Sequence, residues 1–101
     1  MKSTEMVYLI TKKIPRGRIT TYGEISRALG ISPRAVGLIL KSNPKPIEIP
    51  CHRVIKSNGE VGGYNMGVKK KIELLKNEGI KIKNGKVVDF GKRFWRVENI
   101  F

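Results

Sequence analysis

The sequence contains one cysteine and one histidine in 101 residues, and it has only 8 acidic residues. A single cysteine excludes an intramolecular disulfide, and with a single histidine it cannot complete a tetrahedral structural zinc site. We therefore expect no metal, no cofactor and a reducing compartment such as the cytoplasm. No apolar stretch approaches the roughly 18 residues of a membrane helix, and the first five residues lack the apolar run of a signal peptide.

Positive charges far outnumber these acids, because 21 Lys and Arg give a formal net charge of +13. Such an excess in a small chain favours a polyanionic partner, with nucleic acid as the first candidate. The alternative is a lysine-rich surface without such a partner, since 14 of the 21 cations are lysines spread along the chain. The length predicts one domain, residues 1–101, which we expect to be monomeric.

The cysteine and the histidine are neighbours, in the segment Ile-Pro-Cys-His-Arg-Val at residues 49–54. A cysteine is nucleophilic as the thiolate, and nearby positive charge or a base favours that form. His52 and Arg53 are candidates to provide this environment for Cys51. The alternative is that Cys51 packs as a small hydrophobic residue without a chemical role.

The N-terminal segment predicts a helix over about residues 4–13, with Ser3 or Thr4 as its N-cap. Pro15 and Gly17 mark its end. Apolar residues recur through it at helical spacing, at Val7, Ile10 and Ile14.

The next helix is predicted to begin after Thr21, which forms a Thr-x-x-Glu capping box with Glu24. It runs through Leu29, and Gly30 is the residue expected to adopt a left-handed conformation at its C-terminal end. The short turn that contains Gly30 leads directly into another helix, so the two form a candidate helix-turn-helix.

Ser32 is the predicted N-cap of this second helix, with Pro33 at its first position. The helix is expected to run to about Ser42. Gly37 lies in its interior, where glycine costs about 1 kcal/mol relative to alanine. A close approach by another backbone segment or by DNA would justify that cost.

The middle of the chain predicts shorter elements. Arg53-Val54-Ile55 is a candidate strand, and Ser57-Asn58-Gly59 is a candidate turn. A helix is predicted from Gly67 to about Asn77, with an apolar stripe formed by Val68, Ile72 and Leu75. Residues 69–71, all lysines, are expected to face partly outward.

The last 20 or so residues predict a hairpin. Asn84-Gly85 between two β-prone segments is a strong signal for a two-residue turn. An aromatic tail follows, which either packs on the core or forms a junction to another module; it contains Phe90, Phe94, Trp95 and Phe101.

Together these segments resemble the active-site domain of the O6-alkylguanine-DNA alkyltransferase family. The resemblance covers about residues 7–79, with residues 80–101 outside it. It depends on residues 49–54 and on further short segments that occur before and after them in the family's order. These segments are Gly17-Arg18, Thr20-Thr21-Tyr22-Gly23, Arg34-Ala35-Val36-Gly37, Asn43-Pro44, Gly62-Gly63-Tyr64 and Glu78-Gly79. It implies a mainly α fold with a small β element, a winged helix-turn-helix-like DNA-binding domain. Complete members usually carry a separate N-terminal domain, so we interpret this as a short form; that it is part of a longer fusion protein stays open.

The activity implied by the resemblance is DNA repair, by irreversible transfer of an alkyl group from O6-alkylguanine in double-stranded DNA to Cys51. His52 would accept the thiol proton through a water, and Glu78 would orient His52. Tyr22 would donate a hydrogen bond or proton to the base, and Asn43 would order the turn before the site. In a prokaryote such a protein is expected to associate with the nucleoid.

Two further residue sets follow from the resemblance. The second helix would enter the minor groove, with Arg34 in the space of an extruded nucleotide. The implied DNA-binding set is Thr20, Thr21, Tyr22, Ser32, Pro33, Arg34, Ala35, Gly37, Lys41 and Arg53. The implied substrate pocket consists of Leu40, Val54, Val61, Gly62, Tyr64 and Asn65, where Asn65 departs from the serine of many members.

Two other functions stay open. The first is a DNA-lesion sensor, because the small alkyltransferase-like relatives have this size but usually replace the cysteine; the presence of Cys51 favours transfer. The second is a helix-turn-helix regulator, which needs side chains that read base edges. Residues 35–40 offer almost none.

Overall fold

The computed structural model describes residues 2–97, which form five α-helices and four two-residue strands. The helices are α1 (Ser3–Lys13), α2 (Tyr22–Leu29), α3 (Pro33–Lys41), α4 (Val68–Asn77) and α5 (Phe90–Arg93). The strands are β1 (Thr20–Thr21), β2 (Val54–Ile55), β3 (Ile82–Lys83) and β4 (Lys86–Val87). The predicted fold class, mainly α with a small β element, is confirmed. Within residues 2–97 no helix has both the length and the apolar character of a bilayer-spanning segment.

Helix α1 lies where the sequence predicts it, but its capping differs. Lys2 is the N-cap residue and makes no side-chain cap. The prediction of a cap from Ser3 or Thr4 is therefore wrong. The apolar stripe of α1 is confirmed, since Val7 and Ile10 are fully buried.

Helices α2 and α3 form the predicted helix-turn-helix. The hydroxyl of Thr21 accepts a hydrogen bond from the backbone nitrogen of Glu24 at 2.9 Å, and that of Ser32 caps α3. Gly30 has a φ of 69°, the left-handed value expected of a C-terminal glycine. Only half of the capping box forms, because the Glu24 carboxylate pairs with Arg27 instead.

A short parallel sheet brings α2 beside the Cys-His segment. Thr20 pairs with Val54 and Thr21 with Ile55. The segment after α5 lies beside this sheet. The backbone carbonyl of Ile19 accepts a hydrogen bond from the backbone nitrogen of Trp95 at 2.8 Å. The sequence predicts a strand near residue 54, but it gives no sign of this partner, which precedes it by more than 30 residues.

The predicted hairpin is present as β3 and β4. Asn84 and Gly85 both have positive φ, at 53° and 76°, as a tight two-residue turn requires. The hairpin is fixed to the preceding loop, because the backbone of Val61 donates to Gly85 and that of Val87 donates to Gly59.

The core has two clusters that meet along the short parallel sheet. One lies beneath the first three helices and includes Val7, Ile10, Ile25, Val36, Leu40, Cys51, Val54 and Val97. The other joins α4 to the hairpin through Ile19, Ile55, Val61, Leu75, Ile80 and Val87. Phe90, Phe94 and Trp95 of the predicted aromatic tail pack against these clusters, whereas Phe101 lies outside the described residues.

Candidate active site

Asn43, which follows α3, holds the Cys51 thiol in place. Its amide nitrogen donates to Sγ of Cys51 at 3.2 Å and to the carbonyl of Ile49 at 2.9 Å. Its amide oxygen accepts from the backbone nitrogen of Lys45. The side chain thus ties the Cys51 segment to the end of α3, which supports the ordering role expected of Asn43.

Cys51 is buried, with 4% of its surface exposed. Burial raises the pKa of its thiol, and this outweighs the hydrogen bond from Asn43 and the charge of Lys71, which lower the pKa. The resting thiol is therefore neutral near physiological pH. This corrects the expectation that His52 and Arg53 shift Cys51 toward the thiolate, and it means that the thiol needs a base.

His52 has the geometry of such a base. Its Nε2 lies 2.7 Å from the Glu78 carboxylate. Because an ionised carboxylate only accepts hydrogen bonds, Nε2 donates this hydrogen bond, and in the neutral imidazole the lone pair then lies on Nδ1. Nδ1 is buried and has no hydrogen-bond partner within residues 2–97, so it is available to accept a proton.

Arg53 binds the same carboxylate rather than facing solvent. Its guanidinium donates to both oxygens of Glu78, at 2.8 and 2.9 Å, and to the carbonyl of Ile14. Burial raises the pKa of Glu78, but the hydrogen bonds and charges of His52 and Arg53 outweigh it and lower the pKa to about 2. The guanidinium of Arg53 is therefore held by acceptors within the protein. The structure does not place it for the expected DNA contact.

Lys71 is a site residue that the sequence interpretation missed. It was expected to face partly outward, but it is fully buried. Its ammonium donates to the carbonyls of Val54 and Gly63, at 2.8 and 3.0 Å, and lies 3.5 Å from the Tyr22 hydroxyl. Burial lowers its pKa to about 8, against the opposing effect of Cys51.

A signal for this burial exists in the sequence. Lys71 lies three residues after Val68 and four before Leu75, within the apolar stripe of α4. A lysine in that position is either extended to solvent along its stem or buried with partners. Its three acceptors lie in other segments, so spacing along α4 does not reveal them.

A cavity of about 380 Å³ lies over Cys51. Its lining includes the exposed residues Lys41 and Asn65, and Asn65 donates to the backbone carbonyl of Asn43 at 3.3 Å. The complete lining is Tyr22, Gly37, Leu40, Lys41, Cys51, Gly63, Tyr64 and Asn65. Burial is the main cause that raises the pKa of Tyr22, and it raises that of Tyr64 to about 12. Both phenols therefore keep their protons.

The cavity departs from the expected pocket at three residues. Val54 and Val61 are buried in the two core clusters and do not line it. Gly62 lies behind the wall, where an added Cβ would come within 3.6 Å of the Tyr22 ring, and Gly63 lines the cavity instead.

The outer face of α3 presents most of the expected DNA-binding residues. Ser32, Pro33, Arg34 and Lys41 are exposed, and Ala35 and Gly37 are partly so. An added Cβ on Gly37 would meet no described atom within 4 Å, so no described backbone segment makes the close approach that was one explanation for this glycine. Thr20 and Thr21 are buried, which leaves their side chains unavailable for the expected DNA contact.

Fold and site together define a helix-turn-helix domain with a buried cysteine, a carboxylate-bound histidine and an open cavity beside a cationic helix. The family described as "6-O-methylguanine DNA methyltransferase, DNA binding domain" matches residues 2–80. The chain belongs to this family.

The relatives extend this comparison. A methylated-DNA–protein-cysteine methyltransferase of Saccharolobus solfataricus is 54% identical over 76 residues, 75% of this chain and 50% of the relative. The O6-methylguanine-DNA methyltransferase structure from Pyrococcus kodakaraensis is 44% identical with a TM-score of 0.72, covering 79% of this chain and 47% of that chain. Schizosaccharomyces pombe Atl1, in complex with damaged DNA containing O6-carboxymethylguanine, is 29% identical with a TM-score of 0.82, covering 95% of this chain and 99% of that chain. The chain spans about half the length of the curated relatives that it matches.

The Glu78 carboxylate predicts a pH dependence of stability. Its folded pKa of about 2 lies below the ordinary 4.5, so its contribution is complete above pH 4.5 and is lost as the pH falls toward 2. Glu78→Gln is expected to lower the free energy of unfolding near neutral pH, with the difference from wild type shrinking on acidification. Denaturant unfolding across this range measures it.

Glu73→Gln is the matched control, because this carboxylate is exposed on the same helix. It should follow wild type closely at every pH. A Glu78→Gln difference that stays constant down to pH 2 would contradict the lowered pKa.

Proposed function

We propose that this domain repairs DNA by transferring an alkyl group from O6-alkylguanine to Cys51. The observation that carries the proposal is the position of Cys51 at the cavity, followed in the chain by His52, which is hydrogen-bonded to Glu78. Membership of the family and the name of the relative from Saccharolobus solfataricus support the same reaction class. Double-stranded DNA is the proposed partner.

The first step is deprotonation of the thiol. Nδ1 of His52 accepts the proton, directly or through a water, and Glu78 stabilises the imidazolium that forms. The charge of Lys71 lowers the pKa of Cys51 and so favours the thiolate. This assigns the base to His52, its orientation to Glu78 and part of the electrostatic support to Lys71.

The second step is displacement at the alkyl carbon. Sγ of Cys51 forms a bond to this carbon while the bond from carbon to O6 of guanine breaks, and its electron pair passes to the purine. Tyr22 donates a proton to the departing base, and the ammonium of Lys71, 3.5 Å from the Tyr22 oxygen, returns one to the phenolate. The products are a thioether and neutral guanine. No group in the site reverses this bond, so each molecule acts once.

The target base must leave the duplex to reach the cavity, because guanine O6 is inaccessible to Cys51 within the stack. We place Arg34 in the space that the extruded nucleotide leaves. It lies in the first turn of α3 and is exposed. The cavity residues Leu40, Tyr64 and Asn65 would then contact the extruded base.

A lesion-binding function without efficient transfer is the second candidate. The observation that favours it is the match to Atl1 over 95% of this chain and 99% of that chain, in a complex with damaged DNA. The retained Cys51, its Asn43 hydrogen bond and the adjacent base favour transfer.

Incubation with duplex DNA containing O6-methylguanine distinguishes these candidates. One equivalent of protein should gain the mass of one methylene unit, a methyl group replacing the thiol hydrogen, on the peptide that contains Cys51. Cys51→Ser is the matched control; it should bind the lesion duplex with nearly the same affinity and gain no mass. Unmodified Cys51 on protein that is fully bound to the lesion would support the sensor and refute transfer.

Arg34→Ala tests base extrusion separately from the chemistry. The helix should persist, since alanine is its best former. We expect repair of duplex DNA to slow at least tenfold, the order of effect of about 1.4 kcal/mol, while reaction with free O6-benzylguanine, which needs no extrusion, stays near the wild-type rate.

Arg34→Lys is the matched control and should rescue duplex repair in part, because lysine keeps the charge but lacks the planar guanidinium. If Arg34→Ala lowers both rates by the same factor, Arg34 supports the fold or the thiol rather than extrusion.

A further inference from the structure

Five cations that the proposed reaction does not use lie together on one surface, which we call the arginine surface. They come from the loop after α1, the last turn of α4 and the last turn of α5. The members are Arg16, Arg18, Lys76, Lys92 and Arg93. Arg93 is partly exposed and the other four are exposed.

Hydrogen bonds of the arginines bring these three segments together. The guanidinium of Arg93 donates to the carbonyl of Gly17 at 3.2 Å, in the loop after α1, and to that of Gly79 at 3.0 Å, after α4. Arg16 donates to the carbonyl of Asn77, the last residue of α4, at 2.8 Å. Cations that are distant in the chain therefore share one surface.

The anchored arginines keep donors for a further acceptor. A guanidinium has five N–H donors, and Arg18 uses one of them on a described acceptor, the carbonyl of Lys92 at 2.8 Å. These bonds already order the long side chains, so binding another acceptor costs less conformational entropy. The planar guanidinium also matches the oxygens of a phosphate in pairs.

Capping of the helix ends is the simplest role for these arginines, but it does not explain the whole surface. Lys76 and Lys92 make no side-chain hydrogen bond with any residue from 2 to 97. Their charges add to those of the arginines without stabilising a helix end by a direct bond. Like charges held together repel one another and lower stability, so an anionic partner relieves a cost that the free protein carries.

Nearby acids do not neutralise the surface. Three acids lie within four residues of its members in the chain. Glu73 pairs with Lys70, and Glu78 pairs with Arg53. Asp89 is thus the one acid of the three that pairs with no described cation, against five positive charges.

The arginine surface and α3 belong to different parts of the core. Leu75, Ile80 and Phe94, which neighbour its members in the chain, belong to or pack against the cluster that joins α4 to the hairpin. Val36 and Leu40 of α3 belong to the other cluster. No member of the arginine surface lines the cavity over Cys51, so the two surfaces are distinct.

The composition of the surface favours nucleic acid over a protein partner. Protein interfaces have an apolar centre, but the large apolar side chains exposed within residues 2–97 all lie elsewhere. These are Leu9, Leu38, Ile47, Met66, Val68 and Val88. Binding of DNA without sequence preference needs only cations against phosphates, and the surface supplies these.

We propose that the arginine surface is a second DNA site, which binds the phosphate backbone of another duplex segment while α3 and the cavity hold the lesion. One molecule then bridges two DNA segments and passes between them without release into solution. This bridging rests on the proposed function, which assigns the first duplex to α3.

The test captures a second duplex on a lesion complex. A short immobilised duplex with one O6-methylguanine is saturated with Cys51→Ser protein, which performs no transfer, and is washed before a labelled undamaged duplex is added. We expect capture of the labelled duplex. The slope of log affinity against log salt should be about −4, as for four or five phosphate contacts.

A double variant, Lys76→Gln with Lys92→Gln, removes two charges of the surface without removing an internal hydrogen bond. Capture should fall roughly tenfold or more at low salt, and the slope should become shallower by about two. Affinity for the immobilised lesion duplex should stay near that of the parent protein.

Lys83→Gln with Lys86→Gln is the matched control, because it removes two exposed charges from the hairpin. It should leave capture unchanged. An equal loss of capture in this control would assign the second duplex to net charge rather than to the arginine surface, and would refute the inference.

The remaining outcomes separate this inference from the proposed function. If the Cys51→Ser protein does not bind the lesion duplex, the proposed function fails and bridging fails with it. If the protein binds the lesion duplex but captures no second duplex, the proposed function stands. The inference is then wrong, and the surface serves another partner, such as an acidic protein.

Discussion

The ion pairs and hydrogen bonds of the Glu78 carboxylate support the rest of the site. This carboxylate forms hydrogen bonds with His52, Arg53 and the backbone nitrogen of Gly17. It thereby joins the end of α4 to the Cys-His segment and to the loop before β1. A carboxylate is unfavourable both at the C-terminal end of a helix and in a buried position. The guanidinium of Arg53 compensates for both costs, which explains why this cation faces inward in a strongly basic protein.

The second constraint is the burial of Cys51, which keeps the thiol neutral at rest. A neutral, buried thiol is less reactive toward oxidants and electrophiles than an exposed thiolate. Reactivity then depends on a base that is already oriented and on positive charge within the same interior. In the proposed mechanism His52 and Lys71 supply these, and both are almost completely buried. The proposed alkyl transfer therefore combines a buried nucleophile with a base whose orientation is fixed by Glu78.

The sequence predicted the caps and turns that are formed by interactions between residues close together in the chain. The caps at Thr21 and Ser32, the left-handed Gly30 and the Asn84-Gly85 turn were all readable from neighbouring residues. Contacts between distant segments were not. The inward direction of Arg53 depends on Glu78, 25 residues away, and the acceptors of Lys71 come from three other segments. The family resemblance supplied the partner of His52. It also placed Arg53 in the DNA-binding set, whereas the outward direction expected of Lys71 came from the sequence alone; the structure places both cations toward the interior.

The tautomer of His52 tests the central claim most directly, because the mechanism requires Nδ1 to accept the thiol proton. His52 is the only histidine among the 101 residues, so a nitrogen-15 NMR spectrum of the imidazole contains one pair of ring signals. At mildly alkaline pH the mechanism predicts a proton on Nε2, which is bound to Glu78, and none on Nδ1. Glu78→Ala should weaken this preference. A proton found on Nδ1 of the wild-type protein would contradict the assignment of His52 as the base for Cys51.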